Sequence, residues 1–209
     1  MAVDASDFLP EQLDLDALRE AARDCRGCDL WQPATQTVFG EGPEDAAMAL
    51  VGEVPGDRED REGHPFVGPA GRELDKALRA VRIERGEVFI TNAVKHFKFE
   101  QRGKRRIHQR PDAKQVKACR PWLRAELDAI RPEALVILGA TAAKTLLGST
   151  FRLMAQRGQP LNCDLAPIVI ATIHPSAILR GSDRDSRDAQ RELFTEDLRV
   201  AAQALASRH

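Results

Sequence analysis

The sequence predicts an α/β protein: a three-layer α/β/α sandwich around a mostly parallel, four-stranded central sheet. Three observations predict it. Four short, β-rich apolar runs fall at residues 47–51, 88–91, 134–138 and 167–172. Stretches with helical spacing of apolar residues separate them. Polar residues gather just after the runs, Glu53 and Asp57 after the first, Asn92 at the second and His174 at the fourth. Open α/β sheets keep their chemistry at such carboxyl ends. No repeat, low-complexity segment or linker divides the chain, so a single domain over residues 1–209 is expected.

In chain order, Leu13, Leu15, Leu18 and Ala21-Ala22 predict a helix over residues 13–22. It runs into Cys25-Arg26-Gly27-Cys28, a C-x-x-C that presents two thiolates to one metal. A thioredoxin-like redox pair is the rival, but that motif follows a strand rather than a helix; two free thiols are the plain alternative. Residues 37–42 read as a short strand or hairpin edge. The first core strand empties into Gly52-Glu53-Val54-Pro55-Gly56-Asp57, a turn loaded with carboxylates, and on into Pro65-Phe66-Val67-Gly68. A helix over 71–81 carries Leu74, Ala77-Leu78 and Val81 on one face, and the next strand ends at Asn92.

The most unusual stretch is residues 95–110, read as a loop. It holds seven Lys or Arg beside one acid, with Phe97 and Phe99 interleaved. Positive charge mixed with flat rings suits a phosphate backbone and unstacked bases. A solvated surface loop is the plain reading. Beyond it, Val116, Cys119, Leu123, Leu127 and Ile130 predict a helix over 112–130, which Pro121 should kink or restart just past Cys119. Gly139-Ala140-Thr141-Ala142-Ala143-Lys144 opens another helix but lacks the G-x-x-x-x-G-K-[ST] spacing, which excludes a P-loop nucleotidase. The last strand leads into His174-Pro175-Ser176, where a Pro-locked histidine is either catalytic or a packing residue. A helix over 186–207 closes the chain, with Leu193-Phe194, Leu198, Ala201-Ala202 and Leu205 as its buried stripe.

Composition narrows the class. A formal net charge of −1 neither demands nor excludes nucleic acid, so charge distribution has to decide. No apolar run is long enough to span a membrane, and the acidic start is not a signal peptide, so a cytoplasmic protein is expected. Four Cys in such a chain point to metal or a cluster before disulfides. There is no Tyr, so tyrosine carries none of the chemistry.

Taken together, the motifs resemble the uracil-DNA glycosylase superfamily over most of the chain, roughly residues 25–198. Gly52-Glu53-Val54-Pro55-Gly56-Asp57-Arg58-Glu59-Asp60 looks like the first motif of its iron–sulfur branch. Pro65-Phe66-Val67-Gly68 looks like the base-stacking segment. Asn92-Ala93-Val94-Lys95 and His174-Pro175-Ser176 look like the uracil-reading and leaving-group motifs. His96 stands where the branch usually has cysteine, and Cys119 matches another of its cysteines. With the insertion Gly103-Lys104-Arg105-Arg106-Ile107-His108, this resembles the X-type members, which excise uracil and stay attached to DNA through the inserted histidine. Val54 departs from that pattern, where glutamine is expected, and removes a polar side chain beside Glu53.

The resemblance implies roles. A target base must be flipped out to react. Phe66 would stack on it, the Asn92 amide would read O4 and N3–H of uracil, and His174 would donate to O2 as charge builds on the leaving base. His108 would attack the sugar carbon, its other ring nitrogen oriented by Glu53 or, second, Asp57. Lys104, Arg105, Arg106 and Arg180 would contact phosphate, with Arg106 also holding the loop. Cys25, Cys28, His96 and Cys119 would hold a [4Fe–4S] cluster, although the same set can bind zinc. Cys163 is a spare thiol. The expected partner is uracil-containing DNA, single-stranded for preference, with a monomeric protein. An ordinary turning-over glycosylase and a non-catalytic, metal-stabilised DNA-binding module stay open as alternatives.

Overall fold

A computed structural model describes residues 3–208. Four strands form one fully parallel sheet: β1 (Met48–Gly52), β2 (Val88–Asn92), β5 (Ala134–Leu138) and β6 (Ile168–Thr172), in the order β2-β1-β5-β6. All twenty strand residues are buried. Helices therefore cover both faces, which is why these runs read as continuously apolar rather than alternating. The helices are α1 (Leu15–Ala22), α2 (Asp57–Glu62), α3 (Pro69–Ala80), α4 (Ala113–Ile130), α5 (Ala140–Leu147), α6 (Leu153–Gln156), α7 (Ser176–Leu179) and α8 (Arg184–Ala206).

The strand period of two sorts the core onto two faces. Ala49, Val51, Phe89, Leu135 and Ile137 meet Leu18 of α1 and Trp122, Leu123 and Ile130 of α4. Met48, Leu50, Ile90, Val136 and Ile170 meet Leu74 and Leu78 of α3 and Phe194 and Leu198 of α8. The predicted three-layer α/β/α class is the one observed. Because every strand runs the same way, Gly52, Asn92, Leu138 and Thr172 all end on one edge of the sheet.

Several local expectations need correction. Residues 95–110 do not form an open loop. They contain an antiparallel hairpin, β3 (Phe99–Arg102) and β4 (Arg105–His108), closed by Gly103-Lys104. Gly103 takes a φ of +58°, as the first central position of a type II′ turn requires. Lys95, counted above with the basic stretch, is buried. Residues 37–42 make only an isolated bridge, Glu41 to Ile90. Pro121 does not restart α4, which is unbroken across it. A capping box of Asp112 and Gln115 starts that helix, and burial of Cys119, Trp122 and Leu123 on both sides of the proline holds it together. The short helix α2 was not foreseen; its carboxylates Asp57, Glu59 and Asp60 lie in the first turn, where the helix dipole favours them. Among the described residues, no helix is long and apolar enough to cross a membrane.

Candidate active site

A cleft of about 1000 Å³ opens at the carboxyl edge of the sheet. Glu53, Asp57, Phe66, Asn92, His108, His174 and Arg180 all line it, although they lie far apart in the chain. Asn92 ends β2 with 2% of its surface exposed. Glycine is required opposite it: a Cβ on Gly52 would lie 2.3 Å from Asn92 Oδ1 and 2.7 Å from the Phe66 ring. The Phe66 ring lies 5.7 Å from that of His174.

His174 is held in one tautomer. Its Nδ1 accepts the backbone N–H of Ser176 at 3.1 Å and lies 2.8 Å from Ser176 Oγ. The proton therefore sits on Nε2, the atom free to donate. Burial, then Arg180 and His108, push its pKa down to about 4, so the ring is neutral at pH 7. Glu53 is shifted the other way: burial raises its carboxyl, against Thr141, Arg110 and Arg180. Its Oε1 is buried without a hydrogen-bond partner, and the neighbouring apolar Val54 offers none. A buried, unpaired carboxylate oxygen is costly in a resting protein and marks a place where a partner is to be received.

His108 ends β4, and its ring lies 5.9 Å from that of Phe97. The cleft walls desolvate it and hold its pKa below the usual value; Arg110 and Arg180 act in the same direction and Glu59 opposes them. An imidazole in this state is neutral at pH 7 and keeps a lone pair.

Arg106 does not face solvent. It donates to Asp57 Oδ1, to Asp60 Oδ2 at 2.6 Å, to Thr35 Oγ1 at 3.1 Å and to the Asp57 carbonyl at 3.2 Å, and it lies against the Phe97 and Phe99 rings. Its expected phosphate contact is thus replaced by the loop-holding role: it fastens the hairpin to α2. The same contacts occupy Asp57, which also pairs with Arg61. That leaves Glu53 as the carboxylate with a free oxygen in the cleft. Lys104 and Arg105 are exposed at the hairpin turn. Arg180 is exposed at the cleft, with Nη1 donating to Ser176 Oγ at 2.9 Å.

Cys25, Cys28 and Cys119 lie within electrostatic reach of one another, on the α1–α4 side. Trp122 Nε1 donates to Cys25 Sγ at 3.1 Å and the Lys95 backbone N–H to Cys119 Sγ at 3.2 Å. Burial raises the Cys28 thiol and pushes Cys119 up to about 12. A reactive redox pair needs a lowered thiol pKa, so the thioredoxin-like reading is not supported. His96 is buried, and burial takes its pKa down to about 4. Among the described residues, no three His, Cys, Asp or Glu side chains converge tightly enough to hold a metal ion. The donor chemistry nevertheless fits a sulfur-rich cluster: soft buried thiols, a neutral imidazole, and N–H groups aimed at sulfur.

Residues 39–199 match the family model described as Uracil DNA glycosylase superfamily. The chain belongs to the uracil-DNA glycosylase superfamily. It is 35% identical over 188 residues to a type-4 uracil-DNA glycosylase of Thermotoga maritima, covering 90% of this chain and 92% of the relative. It is 34% identical over 197 residues to one of Pyrobaculum aerophilum, covering 89% and 92%. A type-5 uracil-DNA glycosylase of Pyrobaculum aerophilum is 30% identical over 178 residues, covering 77% of this chain and 74% of the relative.

For a superfamily member, the cleft also holds groups that the sequence reading missed. Thr141 lies beside Glu53, although its segment drew notice only as a false phosphate loop. Arg110 lines the cleft beside His108 and Glu53. Leu179 lines it too, at 41% exposure, and an apolar side chain so exposed beside Arg180 is placed to wedge between bases. The available signal was a lone Leu-Arg after the histidine motif, which is indistinguishable in sequence from a helix end. A second depression between α3 and α8 holds Lys76, Arg184, Arg187 and Arg191 among Asp183 and Asp188. Arg184 and Arg191 are ion-paired with Asp188, and Lys76 with Glu73.

Proposed function

We propose that this chain is a single-domain, monomeric uracil-DNA glycosylase that is captured on its product through His108, in a single turnover. The observation that carries this reading is the convergence of Phe66, Asn92, His174, Glu53 and His108 on one cleft. Uracil flips into it and stacks on Phe66. Asn92 presents one donor and one acceptor to the base edge, a pattern that cytosine does not match. The N-glycosidic bond breaks with its electron pair moving onto uracil, and His174 Nε2–H donates to the oxygen where that charge gathers. One such preorganised donor contributes roughly 3–4 kcal/mol.

The sugar is left as an electrophilic cation at C1′. The His108 lone pair forms a bond to that carbon, and the ring proton passes toward the free oxygen of Glu53. A nucleophile pinned by a hairpin holds an advantage over water of up to about 7–11 kcal/mol in favourable geometry. Lys104, Arg105 and Arg180 follow the phosphates. Single-stranded DNA is preferred because no base pair has to be opened. Cys25, Cys28, His96 and Cys119 hold a [4Fe–4S] cluster whose contribution is structural, bracing the segment that leads into the hairpin. Purified protein should then contain iron and acid-labile sulfide and show broad visible absorption; stoichiometric zinc without iron would overturn the assignment.

The names of the relatives favour a second reading, an ordinary turning-over uracil glycosylase. Denaturing electrophoresis after reaction with a uracil-containing oligonucleotide separates the two. We expect a heat- and detergent-resistant complex with uracil-DNA, none with thymine-DNA, and a DNA-modified peptide containing His108. His108→Gly should abolish the complex while still releasing uracil. Catalytic release by the wild type without any resistant complex leaves the second reading standing, and no release at all leaves only DNA binding.

A further inference from the structure

The ring assigned to stack on uracil hangs from a backbone that phenylalanine seldom adopts. Phe66 has a φ of +55°, in the left-handed region that non-glycine residues rarely enter. Such a conformation persists only where the surroundings impose it. One residue does so from outside the cleft. Arg85, three positions before β2, donates from Nη2 to the Pro65 carbonyl at 2.7 Å and from Nη1 to the Phe66 carbonyl at 3.4 Å. The same guanidinium is held by Asp75 Oδ1 of α3 at 2.8 Å. From the other side, the Phe66 carbonyl is folded onto the first turn of α3, where a Cβ on Gly71 would lie 1.6 Å from it.

We propose that Arg85, oriented by Asp75, is a positioning residue for base recognition: its fork grips the two consecutive carbonyls and fixes the angle of the Phe66 ring beside His174. The inference rests on the reading of Phe66 as the stacking ring. A planar, multi-donor guanidinium suits this task, since an ammonium cannot span two carbonyls and a carboxylate in fixed geometry.

The test is a double-mutant cycle on single-turnover uracil release from a uracil-containing single-stranded oligonucleotide. Thermal melting and affinity for the same oligonucleotide with thymine are measured alongside. Phe66→Ala should slow release. Arg85→Met should slow it by about 10- to 100-fold, the loss that a misplacement of about 1 Å produces. Affinity for the thymine strand should not change. The double variant should be no slower than the slower single variant, because Arg85 acts only through the ring. Arg85→Lys should recover part of the rate. If Arg85→Met does not fold, Asp75→Asn, which releases the fork while leaving it in place, should show the same non-additivity with Phe66→Ala. Effects that multiply in the double variant, or a folded Arg85→Met with wild-type release, overturn the inference while leaving Phe66 as the stacking ring. A wild-type rate in Phe66→Ala overturns both.

Discussion

Lys95 Nζ lies 2.6 Å from Glu126 Oε2, and neither side chain has any exposed surface. The ammonium spends its other two protons on Thr91 Oγ1 at 2.6 Å and the Asn92 carbonyl at 2.8 Å. Glu126 also accepts from Gly40 N–H at 3.0 Å and from Thr91 Oγ1 at 2.9 Å. The pair thus joins α4 to the strand end that carries Asn92. Removing one partner leaves a buried charge uncompensated, which costs about 3–5 kcal/mol. Lys95→Met and Glu126→Leu should each destabilise by about that amount in chemical denaturation, and the double variant by clearly less than their sum. Additive losses would show that the two charges do not depend on each other.

Arg106 pins the hairpin that carries His108 two residues later. Arg106→Lys keeps the positive charge but cannot bridge Asp57 and Asp60 together. On the covalent reading, the yield of denaturation-resistant complex per uracil released should fall by about tenfold or more, because the nucleophile loses its fixed distance. Quantifying adduct and free uracil in the same reaction checks this. An unchanged ratio would mean that the ion pairs do not position His108.

The buried, neutral His174 gives stability a pH dependence of definite sign. Its pKa of about 4 lies below the usual 6.5. Above pH 6.5 neither the folded nor the unfolded form carries the proton, and stability is indifferent to it. As pH falls from about 6.5 to about 4, the unfolded chain takes the proton and the folded chain does not, so stability drops. Melting temperature should therefore decline on acidification in this window, and His174→Asn should decline less steeply. Identical slopes would show that His174 does not carry the effect.

Lys104 and Arg105 sit at the exposed tip of the hairpin, clear of the ion pairs that consume Arg106. Each phosphate neutralised on single-stranded DNA adds about 0.7 to the slope of log affinity against log salt. Lys104→Ala with Arg105→Ala should lower that slope by about 1.4, measured by fluorescence anisotropy between low and moderate salt. A drop in affinity with the slope preserved would point to packing instead of phosphate contact.

The sequence alone was enough for the layered fold, because β-rich runs buried on both faces alternate with helical stripes and few architectures accept that pattern. It was enough as well for the residues at the sheet edge, since parallel strands bring all their carboxyl ends together: Glu53, Asn92 and His174 meet for that reason. Tertiary structure decided what charge patterning leaves ambiguous. Lys95 and Arg106 look alike among seven basic residues, yet one is sealed in the core with Glu126 and the other is spent on Asp57 and Asp60, while Lys104 and Arg105 remain free. Long-range partners made those assignments, and a linear pattern does not encode which carboxylate will lie opposite. The same holds for Phe66: its ring was legible as a stacking surface, but its left-handed backbone depends on Arg85 and Gly71, and that depends on how α3 docks against the loop.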